Sequence, residues 1–196
     1  MFPTETFFAD VEQVIAEAGE ADRLRLHKLV GELNRVAVRM PGVAERCYAY
    51  QAKLLVQLQE FEQALVAVEK ALLLMPLDED LLILRGDIYR SADEFSRALQ
   101  DYTQVLSVHP DSVTARLRRA EVRQARGQFS DALEDVNEAL RHEPRSLRLL
   151  YRRALILIDL GRATEAQADF ASVARLSPAG DLKEKAQARL RELGHW

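Results

Sequence analysis

Small residues return along this chain in two series with a period of 34 positions: Ala52, Gly86, Ala120, Ala154, and Ala64, Ala98, Ala132, Ala166. A large apolar residue follows each member of the second series four positions later, as Val68, Tyr102, Val136 and Phe170. Phe61, Phe95 and Phe129 open the second apolar stripe of successive periods, and two positions before it stands a turn residue. That residue is Gly127 or Gly161 in the later periods, with Gln59 and Asp93 in the equivalent earlier places. The pattern predicts two helices per period, joined by a tight turn. Small side chains sit where the helices approach most closely, and large ones fill the space beside them.

The punctuation keeps the same period. Pro76, Pro110, Pro144 and Pro178 are 34 residues apart, and Pro41 lies 35 before the first. Each stands just past a second helix, which a proline cannot continue. Asp78, Ser112 and Ser146, again 34 apart, are the N-cap residues expected at the start of the next helix. The chain therefore divides into repeats 45–78, 79–112, 113–146 and 147–180. Hairpins of this kind cannot bury their apolar faces alone, so they stack. Residues 5–18 and 21–39 read as two further helices closed by Pro41, without small residues at the close-approach positions. Residues 1–44 are thus expected to form a degenerate fifth hairpin acting as an N-terminal cap. A last helix from Asp181 to about Leu193 is expected to cap the other end, within 181–196.

The second repeat carries Leu82, Gly86-x-x-Tyr89, Ala98-x-x-x-Tyr102 and Pro110, and so resembles the tetratricopeptide repeat (TPR) at its most diagnostic positions. The resemblance extends over residues 45–180 in four tandem copies. It implies an all-α fold, a right-handed superhelical solenoid of antiparallel helix hairpins. It also implies that the first helices of successive hairpins line a concave groove that holds another protein. Carried onto this chain, the family's groove positions are Arg46, Ala49, Tyr50, Lys53 and Gln57 in the first repeat, and Asp80, Ile83, Leu84, Asp87 and Arg90 in the second. The third contributes Leu117, Arg118, Glu121 and Gln124, and the fourth Arg148, Tyr151, Arg152, Leu155 and Asp159. This mixture of both charge signs with tyrosines and aliphatics suits an extended segment or helix with apolar anchors and some acidic residues. The chaperone-binding TPR subclass holds a C-terminal carboxylate with fixed Lys, Asn and Arg residues. Neither asparagine is present here, so the chaperone tail motif is not the expected ligand.

Composition agrees with a helical, ordered chain: 48% hydrophobic, 30% charged, with only 8 Gly and 6 Pro in 196 residues. The net charge of −4 hides an asymmetry, since residues 1–112 carry 11 Lys and Arg against 19 Asp and Glu, and residues 113–196 carry 16 against 12. The one cysteine, Cys47, forms no internal disulfide and reads as a small buried hydrophobe. No basic stretch leads into an apolar one near the N-terminus, and no apolar run approaches membrane-spanning length, so the cytoplasm is the expected compartment.

Arg85, Arg119 and Arg153 share one repeat position, and Asp101, Asp135 and Asp169 share another. The first repeat has Gln51 and Ala67 in those places. One reading is an arginine row that recognises an acidic ligand. The other is a ladder of ion pairs tying the helices of each hairpin, and the joint loss of both partners in one repeat favours it. If partly exposed, such pairs contribute about 0–1 kcal/mol each.

Signatures of chemistry are missing: no phosphate-binding Gly-rich loop, His-Glu-x-x-His, Cys-x-x-Cys or nucleophile elbow occurs. His27, His109, His142 and His195 are far apart, and His109 and His142 read as helix-terminal dipole partners. No enzyme activity, cofactor or metal is expected. The leading function is an adaptor or scaffold for a peptide segment or partner domain, with self-association possible. The alternative is a dedicated chaperone for a secreted or assembling subunit, for which Phe7, Phe8 and Leu72–Met75 are the relevant features. A nucleic-acid binder rests only on Arg116, Arg118, Arg119, Arg123 and Arg126, a run interrupted by Glu121. Reversing Arg118 and Arg152 to Glu is expected to weaken partner capture without unfolding the chain.

Overall fold

The computed structural model describes residues 4–17 and 23–194, and the described residues form eleven α-helices, one 3-10 turn and no strand. In order these are α1 (Thr4–Glu17), α2 (Arg23–Arg39), the turn Pro41–Val43, α3 (Ala44–Gln57), α4 (Phe61–Leu74), α5 (Glu79–Ser91) and α6 (Phe95–Val108). There follow α7 (Val113–Ala125), α8 (Phe129–His142), α9 (Leu147–Asp159), α10 (Ala163–Leu176) and α11 (Asp181–Leu193). The expected helix ends at residues 18 and 21, and His195, lie outside the described residues. Two compact units divide at Asp101, inside α6.

The 34-residue pattern is written directly into the packing. Ala52, Ala120 and Ala154, with Gly86, are all buried, as are Ala64, Ala98, Ala132 and Ala166. Val68, Tyr102, Val136 and Phe170 have no exposed surface at all. On α8 the buried set Ala132, Asp135, Val136, Ala139 and Leu140 follows the three-and-four spacing of one helix face. In the first unit, α3 packs against α2 and α4, and α4 against α5. In the second, α7, α8 and α9 enclose Leu117, Val136, Leu149 and Ile156, and α11 closes a further cluster around Phe170 with Ala186 buried and Leu182, Leu190 and Leu193 half-buried.

Turns and caps explain where the helices stop. Gly127 and Gly161 both have φ +73°, and Gln59 and Asp93 adopt the same left-handed backbone at +63° and +59°. Glycine enters that region freely, whereas a side chain is strained there. Asp78 accepts a hydrogen bond from the Leu81 amide at 2.9 Å and Ser112 one from Ala115 at 3.2 Å. Ser146 departs from its expected capping role: it keeps the extended cap backbone, but its hydroxyl caps no amide.

The recurring arginines and aspartates are ion pairs within hairpins. Arg85 grips Asp101 through two bonds of 2.6 and 2.9 Å, Arg119 grips Asp135 at 2.6 and 3.0 Å, and Arg153 grips Asp169 at 2.7 Å twice. The carboxylates are only 2%, 2% and 6% exposed, which takes these pairs out of the class of weak surface bridges expected from the sequence. Hydrogen bonding to the carboxylate raises the pKa of Arg85 and Arg153. In the first repeat Gln51 instead donates to the Val30 carbonyl at 3.1 Å, tying α3 back to α2.

Candidate partner-binding site

The groove positions of the first unit lie on α3 and α5, and α1 occupies much of the α3 set. The Arg46 guanidinium stands 4.2 Å over the Phe8 ring and pairs with Glu5 at 3.1 Å, which raises its pKa. Tyr50 is 9% exposed, stacks on Phe8 and donates its hydroxyl hydrogen to Glu12. Burial, with Glu12 beside it, raises the Tyr50 pKa. Lys53 stays exposed with its ammonium 5.3 Å from the Tyr50 ring, and Gln57 donates to the Ile15 carbonyl at 2.6 Å. Ala49 is half-buried. On α5, Asp80 is exposed, Ile83 is buried, Leu84 is half-buried, and Asp87 pairs with Arg90 at 3.6 Å.

In the second unit the corresponding face forms a charged network. Glu121 on α7 lies between two arginines, 3.1 Å from Arg118 and 2.8 Å from Arg152 on α9. Gln124 donates to Asp159 at 2.5 Å and accepts from Arg152 at 3.3 Å. Two guanidinium groups share one carboxylate whose side chain is only 11% exposed. Arg148 is exposed one turn before Arg152. Tyr151 meets Phe170 edge-on at 5.4 Å, and Leu155 is half-buried. Leu117 differs from its expected role. It is 4% exposed inside the core and offers a partner no surface.

Beside this network lies a pocket of about 300 Å³. Leu155, Ile158, Phe170 and Leu193 give it apolar walls, and Gln124, Asp159, Arg189 and Glu192 rim it. Arg189 pairs with Glu192 at 2.8 Å. The contribution of α11 escaped the sequence reading, which assigned that helix a capping role alone. Leu190 and Leu193, one turn apart, were the available signal that it presents a second apolar face.

The arginine-rich run of α7 makes contacts within the protein. Arg119 and Arg123 hold Asp135, Arg118 holds Glu121, and Arg116 donates to the Pro110 carbonyl at 2.5 Å. Cys47 is fully buried, and burial pushes its pKa up to about 11, so it stays a neutral thiol. Among the described residues, no group of three or more His, Cys, Asp and Glu side chains is placed to hold a metal, and no helix is long and apolar enough to cross a membrane.

The tetratricopeptide repeat family matches residues 83–123 and 117–181. The chain belongs to the TPR family. No curated protein matches. Among solved structures, MamA from Desulfovibrio magneticus RS-1 aligns with TM-score 0.70 at 14% identity, covering 93% of this chain and 96% of its own. A thermophilic TPR protein from Thermus thermophilus aligns with TM-score 0.69 at 18% identity, covering 86% and 95%. The first TPR of Spaghetti (RPAP3), bound to the HSP90 peptide SRMEEVD, aligns with TM-score 0.55 at 22% identity over 60% of this chain and 90% of its own. At these identities the likeness is one of fold. TPR proteins are in general protein-interaction scaffolds, and this chain shares their all-α, hairpin-by-hairpin architecture.

Proposed function

We propose that this TPR protein is a non-enzymatic adaptor that holds a peptide segment or a partner domain against the first-helix face of its second unit. The observation that carries the reading is the pairing there of an apolar pocket with a cationic network. Leu155, Ile158 and Leu193 offer a seat for one apolar anchor, and beside it Arg118, Arg148, Arg152 and Arg189 outnumber Glu121, Asp159 and Glu192 by one. A partner segment that presents a large apolar side chain next to acidic residues matches both features. The RPAP3 neighbour holds an acidic peptide on the same type of fold, which supports the mode rather than that ligand, because the chaperone-tail asparagines are absent here. In the first unit, Arg46 and Tyr50 already serve α1. One cysteine and no disulfide suit the cytoplasm as the compartment.

The test is affinity capture from a cell lysate, followed by direct binding of the captured segment to wild type and to Arg118→Gln/Arg152→Gln. Glutamine is the better choice than the charge reversal suggested by sequence, since two added carboxylates would crowd the shielded Glu121. Loss of binding by roughly tenfold or more in a folded double variant is expected, the order seen when charged contacts at an interface are truncated. Unchanged affinity would remove the second-unit face from consideration.

A dedicated chaperone for an assembling subunit is the second reading. Its supporting observation is the exposure of Leu73, Leu74 and Met75, at 81%, 52% and 48%.

A further inference from the structure

Away from the first-helix face, two neighbouring helices of the first unit expose large apolar side chains. Val38 on α2 is 72% exposed, and Val66 and Leu73 on α4 are 53% and 81% exposed. Packing within the repeat does not demand the pair on α4. At the repeat position of Val66 the later repeats carry Gln100, Glu134 and Ala168, and at that of Leu73 they carry Ser107, Arg141 and Arg175. The first repeat keeps large apolar residues at both places for a contact outside the hairpin.

The two helices are opposite in charge. Residues 23–39 carry five Lys and Arg against one Glu, while residues 60–80 carry six Asp and Glu against one Lys. They also share a direction, because α2 and α4 each pack on α3 through short connections. Their levels agree as well. Leu33 and Ala37 on α2 are buried, as are Val68 and Leu72, 35 positions on, and the helices end at Arg39 and Leu74 with the same offset. A residue of α2 thus stands level with the residue of α4 about 35 positions later.

Lys28, Gly31, Arg35 and Val38 form one stripe of α2, and Glu62, Val66, Glu69 and Leu73 form one of α4. All eight are exposed. Taken in order, the members of each pair are 34 or 35 positions apart, so they share a level to within one residue, about 1.5 Å. Nothing lies within 4 Å of where a Gly31 side chain would begin, so its smallness serves no contact inside the chain.

We propose that the two stripes form the interface with a second copy of the chain, α2 of each protomer lying parallel along α4 of the other. A two-fold axis that runs lengthwise between α2 and α4 preserves both direction and level. It sets the partner's α2 on α4 and the partner's α4 on α2 at once, which closes the dimer. Lys28 then meets the partner's Glu62, Gly31 makes room for the partner's Val66, Arg35 meets the partner's Glu69, and Val38 meets the partner's Leu73. Each pairing occurs twice. An axis across the helices would instead set α2 on α2 and α4 on α4, opposing like charges. The proposal is independent of the first-helix face.

Sedimentation velocity at tens of micromolar tests it. Wild type is expected at twice the monomer mass at low salt, shifting toward monomer as salt screens the exposed pairs. Lys28→Glu/Arg35→Glu and Glu62→Lys/Glu69→Lys are each expected to be monomeric, because each homodimer then opposes like charges. Mixed together they are expected to form a heterodimer, in which both pairings are again opposite in sign. Gly31→Glu supplies a check that misfolding cannot imitate: it is expected to stabilise the helix while dissociating the dimer. Cross-linking reads the helix direction. Val38→Cys mixed with Leu73→Cys is expected to give a disulfide-linked dimer on mild oxidation, with Cys47 buried and out of reach. Leu24→Cys, at the opposite end of α2, is expected to give none with Leu73→Cys. A monomeric wild type, as for a patch kept for a client protein or another partner, overturns the proposal. So does association that survives the charge reversals, a mixture of the two variants that stays monomeric, or cross-linking from position 24 rather than 38.

Discussion

Gln59, Asp93, Gly127 and Gly161 hold the same turn with the same left-handed backbone, and only two of them are glycine. Gln59→Gly is expected to stabilise the fold by up to about 1 kcal/mol, and Asp93→Gly by less, because a short polar side chain tolerates this region better. Gly127→Ala is expected to cost about 1 kcal/mol by the same reasoning. Urea unfolding of the three variants checks the order. The buried aspartates make a second residue-scale prediction. Asp135 accepts from Arg123 at 2.7 Å as well as from Arg119, so it keeps a cation when Arg119 is removed. Arg119→Met is therefore expected to be milder than Arg85→Met, which strips Asp101 of its bidentate partner and should cost about 3 kcal/mol, as for a broken buried pair. Equal losses in thermal or urea melts would contradict this account. The pairing itself was legible in the sequence from the joint presence and absence of Arg and Asp. Its burial was not, because the helix faces that cover the carboxylates belong to tertiary packing rather than to local pattern.

Helix boundaries followed from the 34-residue period because each one is set by a local cause: a proline, a cap or a left-handed turn. Where the cause depends on a side-chain rotamer, the sequence was insufficient. Ser112 and Ser146 share a repeat position and a cap backbone, yet only Ser112 bonds an amide. Ser112→Ala is expected to cost about 1 kcal/mol and Ser146→Ala a few tenths at most, measured by chemical denaturation. The first hairpin shows a further limit of pattern. Tyr50 and Arg152 hold one repeat position, and each reaches the preceding first helix, Tyr50 to Glu12 across 38 residues and Arg152 to Glu121 across 31. Gln57 to Ile15 and Asp159 to Gln124 differ by the same seven, at 42 and 35 residues. These offsets support reading residues 1–44 as a repeat lengthened by seven residues, consistent with the 17 residues of α2 against 14 in α4. A period search at fixed length does not register such an insertion.

At the scale of the whole chain, charge is distributed unevenly. The excess of Asp and Glu in residues 1–112 includes the carboxylates of α4, while the excess of Lys and Arg in residues 113–196 includes those around Glu121. The recurring pattern from Ala52 to Phe170 was legible because stacking reuses one set of small and large positions. The proposed surface was less so, because its pocket draws Arg189 and Leu193 from a helix outside the repeats. Amide hydrogen exchange on the complex with its captured segment tests the central claim most directly. The account predicts added protection in Val113–Ala125, Leu147–Asp159 and Asp181–Leu193. Protection confined to other helices, with these three unchanged, would contradict it.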